Sequence, residues 1–350
     1  MKNFFYKIFL LFYGKIKGKI QPEKDNRIKI NKVIKEKKIN YKVFRIKQGR
    51  LYTDRVHDTA VILDNLIIDG PSHQLRPINN AKVEKNIVFE KGTPRFKKKL
   101  KGTVLSLLTG GGGNENYSHW LLDVLPRIGL CEEVLDLSKI DFYLLPSISK
   151  KFQKETLQML NINNDCLISS KTFRHIEATE IIVTDHPYCI TGNATKDIMN
   201  IPSWIPFWLK QKFLDKKKKI NKYPEKIYID RSDSESNTKH LRKIINEEKV
   251  VDLLLNNGFK SISLSGLHFK DQVQLFNDAR IIVGLHGGGF ANLVFCRPKT
   301  KVIELKSPES GPPIENLAKK NDLNYKSIEI KAKNTEELNF VHQHGAIEVP

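Results

Sequence analysis

From residue 226 onward, short apolar runs alternate with stretches of helical period. KIYIDR (226–231), FKSISL (259–264), RIIVGL (280–285), KVIELK (301–306) and YKSIEI (325–330) read as strands. Between them, KHLRKIINEEKVVDLLLNNG (239–258) reads as a helix closed by Gly258, and HFKDQVQLFNDA (268–279) as a second. A short helix follows the glycines after residue 285, and Pro312–Pro313 open another. Such strand–helix order predicts a parallel, doubly wound sheet with ligands beyond the carboxyl ends of its strands.

The first half is patterned differently. It is strand-rich from about residue 41 to 115, with AVILDNLIID (60–69), NIVFE (86–90) and TVLSLLT (103–109) as strands. A helical pattern opens near Asn116 and runs through NYSHWLLDVLPRIGLCEEVL, with Pro126 as a kink or break. DFYLL (141–145), CLISS (166–170) and EIIVT (180–184) are further strands, with a helix near 150–160. The aromatic run SWIPFWLKQKFL (203–214) predicts a helix packed on this first half. DKKKKINKYPE (215–225) is the best linker, so the expected division is a segment 1–20, a domain 21–214 and a domain 226–350.

Charge changes the picture more than length does. The 350 residues carry a net charge of +20, which favours anionic partners. No nucleic-acid-binding motif accompanies the charge, so nucleic acid is not the expected partner. Cys131, Cys166, Cys189 and Cys296 are scattered without a Cys-x-x-Cys pair, which suits a reducing cytosol. The start, MKNFFYKIFLLFYGKIKGKI, is too short in apolar length to span a bilayer and lacks a cleavage site. Its mixture of aromatics and lysines fits either a segment lying on an anionic membrane or an element packed on the domain. The expected location is cytoplasmic, peripheral at the inner face of the membrane.

Two places carry candidate chemistry. In IIVGLHGGGFANLVF (281–295), a buried strand runs into His286 and the glycines Gly287, Gly288 and Gly289. Bare backbone before a helix offers N–H donors to a phosphate, or simply makes a tight turn. In the first half, His119 and Asp123 are four residues apart on one helix face, with Arg127 continuing it. Either could be a general base, the two could act as a pair, or His119 could be a core histidine.

YIDR, LRKIINEEKVVDLLLNNGFKSISL and FKDQVQLFNDARIIVGLHGGGFANLVFCRPKTKVIEL together resemble glycosyltransferase family 61, closely over about 226–306. NENYSHWLLDVLPR (114–127) is similar to that family's other signature. Two departures are His286-Gly287-Gly288 for His-Gly-Ala, and Arg242-Lys243 for an Arg-Arg pair. The resemblance implies an α/β, GT-B-like architecture of two Rossmann-like domains facing a cleft. It implies an inverting transferase of the bacterial capsular polysaccharide type, using a nucleotide sugar, UDP-linked, without metal or other cofactor. The acceptor would be a saccharide or lipid-linked saccharide.

On this reading Arg231, Arg242, His286, Gly287, Gly288, Gly289, Asn292 and Glu304 bind the donor, with Glu304 at a strand end suited to ribose hydroxyls. Asp123 and His119 are catalytic, Asp123 narrowly preferred as the base. Gly112, Gly113, Asn116 and Arg127 form an acceptor or sugar loop. Glu247 is read as capping or pairing on its helix, and Gln272 as a surface helix glutamine, the alternative being that it orients a neighbouring loop or ligand. The chain contains no Asp-x-Asp triplet, so cations and loop amides take the place of a metal. An inactive relative and an unrelated nucleotide-dependent enzyme are the alternatives, and GGGGNEN (110–116) does not fit the dinucleotide fingerprint the latter needs.

Overall fold

The structure, a computed structural model, describes residues 2–74, 82–109, 113–214, 222–232, 242–333 and 344–350. The chain divides into two compact units, Met1–Ile198 and Met199–Pro350.

The first unit is built on a mixed sheet of eleven strands among the described residues. Its hub is the long strand His175–Thr184, whose inward side chains Ile176, Ile181 and Val183 are buried. On one edge this strand pairs antiparallel with Ile39–Lys47 and Arg50–Thr53. On the other it pairs parallel with Lys98–Ser106, which continues in parallel to Phe142–Leu145 and Leu167–Ser169. Only this second part has the parallel order expected of a Rossmann-like unit; the antiparallel extension over residues 28–68 departs from it.

Local chemistry explains three differences from the pattern-based reading. Residues 60–69 are not one strand but a hairpin, Asp58–Leu63 and Leu66–Ile68, because Asp64 and Asn65 both adopt left-handed backbone (φ 49° and 61°). Residues 86–90 are not a strand: the Asn86 side chain accepts from Val88 N–H, and Val88–Lys91 forms one helical turn ended by Gly92. The helical signature segment does not break at Pro126. It runs through Tyr117–His119, a π turn at Trp120–Val124 and Pro126–Cys131. Proline has no N–H for the preceding turn, and the register opens so that Leu125 N–H reaches the Trp120 carbonyl. Trp120 is fully buried and its indole donates to Thr156 Oγ1 at 2.9 Å, which anchors this segment.

Among the described residues, the second unit holds a five-stranded, wholly parallel sheet. Its order is Lys260–Ser263, Lys226–Asp230, Ile281–Leu285, Lys301–Lys306, Asn324–Glu329. The predicted strands stand within a residue or two of these bounds. The helix predicted over 239–258 is shorter, Glu247–Asn256. Before it, Arg242 has left-handed backbone and residues 242–245 run beside the returning tail, with Arg242 N–H on the His344 carbonyl and Ile245 N–H on Ile347. The helix Trp204–Phe213 belongs to this unit and not to the first half. Its Phe213 ring meets Phe269 and Phe295 edge-on, and Lys210 Nζ donates to the Cys296 carbonyl. The division therefore falls at residue 198 rather than 214; most of the linker, 215–221, lies outside the described residues.

Candidate active site

In the first unit, the Asn116 carboxamide caps the signature helix, accepting from Ser118 N–H at 3.0 Å and His119 N–H at 3.2 Å. One turn on, His119 Nδ1 lies 2.7 Å from Asp123 Oδ2, and Tyr188 Oη donates to the same oxygen at 3.2 Å. A carboxylate can only accept, so Nδ1 carries the proton and Nε2 is the ring's other polar atom. The two members differ in access: Asp123 is 1 % exposed, whereas the His119 side chain is 31 % exposed. The Asp123 charge raises the His119 pKa above its ordinary value, against the opposing effect of burial.

Behind the pair, Arg127 is fully buried and its Nη1 donates to the Thr184 carbonyl and hydroxyl, each at 3.3 Å. Burial brings its pKa down to about 10, opposed by the charges of Asp123 and Asp185. Two neighbouring imidazoles are held neutral by burial first and by the Arg127 charge second: His73, brought to about 3, and His186, held well below the usual range. Burial next to Asp123 likewise keeps the Tyr188 phenol protonated. The result is one carboxylate oxygen taken by two donors, with a single partly open imidazole at the front.

In the second unit, strand ends converge as the parallel order requires. His286 Nδ1 donates to the fully buried Glu304 carboxylate, whose other oxygen accepts from Tyr325 Oη. Arg231 Nη1 donates to the His286 carbonyl at 2.8 Å. That guanidinium crosses the bare backbone of Gly287, where a Cβ would lie 2.7 Å from Nη1. Burial and the nearby Arg231 charge bring the Arg242 pKa down to about 10, with Glu304 opposing. Two guanidinium groups thus influence each other beside a carboxylate that is already doubly hydrogen-bonded. Such a site gains from an incoming anion.

These placements sort the residues singled out from the sequence. His119 with Asp123, and Arg231, Arg242, His286, Gly287 and Glu304, form two local clusters, one in each unit. Two site readings change. Arg127 is sealed in the core and supports the pair instead of lining a sugar loop. Asn292 is fully buried with its amide on Gln272 at 3.2 Å, so it ties the Gly288–Phe295 3₁₀ helix to the neighbouring helix rather than meeting a nucleotide. Asn116 stands exposed at the start of the signature helix, which it caps. Gly113 is needed for packing, since its φ is +77° and a Cβ would stand 2.4 Å from Val124 Cγ2. Gly289 backs onto Leu264, and Gly288 begins the 3₁₀ helix. Gly112 lies outside the described residues. Glu247 accepts from Tyr228 Oη of a strand at 2.6 Å, a structural role, and Gln272 is buried and donates to the Leu264 carbonyl at 3.0 Å, so it holds a neighbouring loop and is not a surface glutamine.

Tyr188 and Tyr325 were missed. Tyr188 had a visible signal, a His-x-Tyr just past the end of an apolar strand. Tyr325 had none, because an aromatic opening a strand is ordinary core material.

The wholly parallel sheet of the second unit, beside a mixed sheet in the first, defines the class: an α/β protein with a Rossmann-like unit. The family model described as Glycosyltransferase 61 matches residues 117–303, just over half of the chain, taking in His119, Asp123, Arg231, Arg242, His286 and Gly287 and ending one residue before Glu304. The chain belongs to glycosyltransferase family 61. It is also similar to a beta-1,2-xylosyltransferase of Arabidopsis thaliana, 30% identical over 122 residues. That match covers 30% of this chain and 23% of the plant protein, so the chain spans under a quarter of that relative's length.

Proposed function

We propose that this protein is an inverting glycosyltransferase that moves a sugar from a UDP-linked donor to a hydroxyl of a saccharide. The observation that carries the proposal is the His119–Asp123 pair, one member buried and one open, in a chain of this family. His119 Nε2 takes the proton from the acceptor hydroxyl while its oxygen attacks the anomeric carbon. The bond from that carbon to the diphosphate breaks, and the nucleotide leaves with the extra negative charge. Asp123 orients the ring and stabilises the imidazolium that forms, as a buried carboxylate does behind other histidine bases. This reverses the order favoured from the sequence, because a carboxylate with 1 % exposure has no room for a substrate oxygen.

On the donor side, Arg231, Arg242 and the backbone of the Gly287–Gly289 loop meet the diphosphate in place of a metal. Glu304 positions His286 through the hydrogen bond they share. The GT-B reading of the two units, with the acceptor on the first and the donor on the second, is part of the proposal. So is a lipid-linked or surface-polysaccharide acceptor of the capsular type. The plant relative makes UDP-xylose one donor to try first.

The test is a panel of UDP-sugars, scored for binding and for slow hydrolysis, with and without chelator. One UDP-sugar should bind and turn over in both conditions. Loss of turnover in chelator, restored by Mn²⁺ or Mg²⁺, would overturn the metal-free part. Binding without hydrolysis or transfer for any donor would make the protein an inactive relative.

A further inference from the structure

The fold brings together two stretches that lie far apart in the sequence. Residues 1–20 contain five lysines, and residues 91–101 contain five lysines and Arg95; neither stretch has a single acidic residue. The first forms the helix Lys2–Tyr13. It is fastened to the first unit by one face: the Tyr13 ring stands edge-on to His175 at 4.9 Å, and Tyr13 Oη accepts from Lys97 N–H at 2.9 Å. Phe9 meets Phe96 edge-on at 5.2 Å, which joins the helix to the second stretch.

What this junction leaves in water is unusual. Leu11 is 86 % exposed, Phe12 75 % and Phe96 79 %, the three most exposed large apolar side chains among the described residues. Phe12 is one turn from Phe9, whose ring touches Phe96, so these aromatics share one side of the junction. In the same two stretches Lys7, Lys15, Lys17, Lys98, Lys99 and Lys101 are exposed, with Lys98 Nζ over the Phe173 ring and Lys99 Nζ 3.8 Å from Glu177. Apolar side chains scattered singly mean nothing; exposed apolar side chains carried by two stretches in which every charge is positive mark a binding surface, even with Glu177 of the neighbouring strand paired to Lys97 and Lys99. No helix among the described residues is long and apolar enough to cross a membrane.

We infer that this composite face docks the protein on the surface of an anionic lipid bilayer, with Leu11, Phe12 and Phe96 entering the headgroup boundary and the lysines meeting lipid phosphates. The charge selects an anionic partner, and the most exposed apolar side chain, Leu11, is aliphatic and on a helix, which suits a bilayer boundary and offers no stacking to a nucleic-acid base. The inference goes beyond the proposed transfer reaction, because the face shares no residue with either cluster of the candidate site.

The test is flotation of the full chain with vesicles of phosphatidylcholine alone and with vesicles of phosphatidylcholine mixed with anionic phosphatidylglycerol. Binding should require the anionic lipid and weaken at high salt. Phe12→Asp with Phe96→Asp should reduce it at least about tenfold, as should Lys98→Glu with Lys101→Glu, since each charge near the surface contributes about 1 kcal/mol. Phe12→Ser with Phe96→Ser guards against misfolding: it should keep the melting temperature and still lose vesicle binding. Equal binding of wild type and these variants would overturn the inference, as would failure to bind anionic vesicles. Concentration-dependent dimerisation abolished by Phe12→Ser would overturn it too, by giving the face to a second copy. UDP binding, which reports on the second unit, separates this outcome from any failure of the transferase reading.

Discussion

His119 and Asp123 form a hydrogen bond of 2.7 Å in which the partners have unequal access to solvent, the histidine partly open and the aspartate sealed. Roles follow from that inequality: the open group meets substrate and the sealed one sets its tautomer and charge. His119→Ala should therefore lower kcat by about 10²–10⁴-fold, the usual contribution of a general base. Asp123→Asn should be comparably damaging, and the double variant little worse than either. UDP binding should be unchanged in all three. A near-wild-type rate in His119→Ala would end its assignment as the base.

The same bond predicts a pH dependence. Asp123 raises the His119 pKa above its ordinary value of about 6.5. A base must be unprotonated to act, so kcat/KM should rise with pH through that elevated value. In Asp123→Asn the attracting charge is gone, and the acid limb should move to lower pH even as the plateau falls. For stability the sign is opposite. A group with a raised folded pKa contributes fully below the unfolded value of about 6.5, and the contribution is lost as pH rises through the folded value. Titration of the His119 ring by NMR in both proteins checks the shift directly; an unmoved titration in Asp123→Asn would remove the carboxylate as its cause.

At the donor cluster, Arg231 both crosses Gly287 and holds the His286 carbonyl. Arg231→Ala should weaken UDP binding by about 1.5–3 kcal/mol, the range for a hydrogen bond to a charged group. Gly287→Val should weaken it further, because its Cβ would displace the guanidinium. Calorimetric titration with UDP measures both, and unchanged affinity in Arg231→Ala would take that residue out of the site.

Gly113 offers a prediction about stability alone. Alanine there must adopt a backbone that L-residues disfavour and also pushes against Val124. Gly113→Ala should destabilise the protein by about 1–3 kcal/mol, as overpacked sites do. Urea denaturation tests this. Equal stability would leave the glycine open to the acceptor-side role read from the sequence.

Sequence pattern alone was enough for the second unit's sheet. Its five strands are short apolar runs set between helical stretches, and chain order nearly dictates a parallel sheet when strands alternate with helices. Spacing within one helix also brought His119 and Asp123 together, because contacts four residues apart are local. The glycine loop and Arg231 were legible for a similar reason, as both sit at a strand's carboxyl end.

Only tertiary structure decided the rest. The hairpin at Asp64–Asn65 and the turn at Val88–Lys91 depend on backbone signs and a single cap, which apolar patterning does not report. Burial of Asp123, Arg127 and Asn292 depends on strands and helices dozens of residues away, and it converts residues that look functional into supports. Glu304 gained Tyr325, and Asp123 gained Tyr188, through contacts spanning 21 and 65 positions. The helix Trp204–Phe213 chose the second unit through Phe269 and Phe295. Nothing in an apolar stripe says which of two cores will receive it; the stripe sets only that it will be covered.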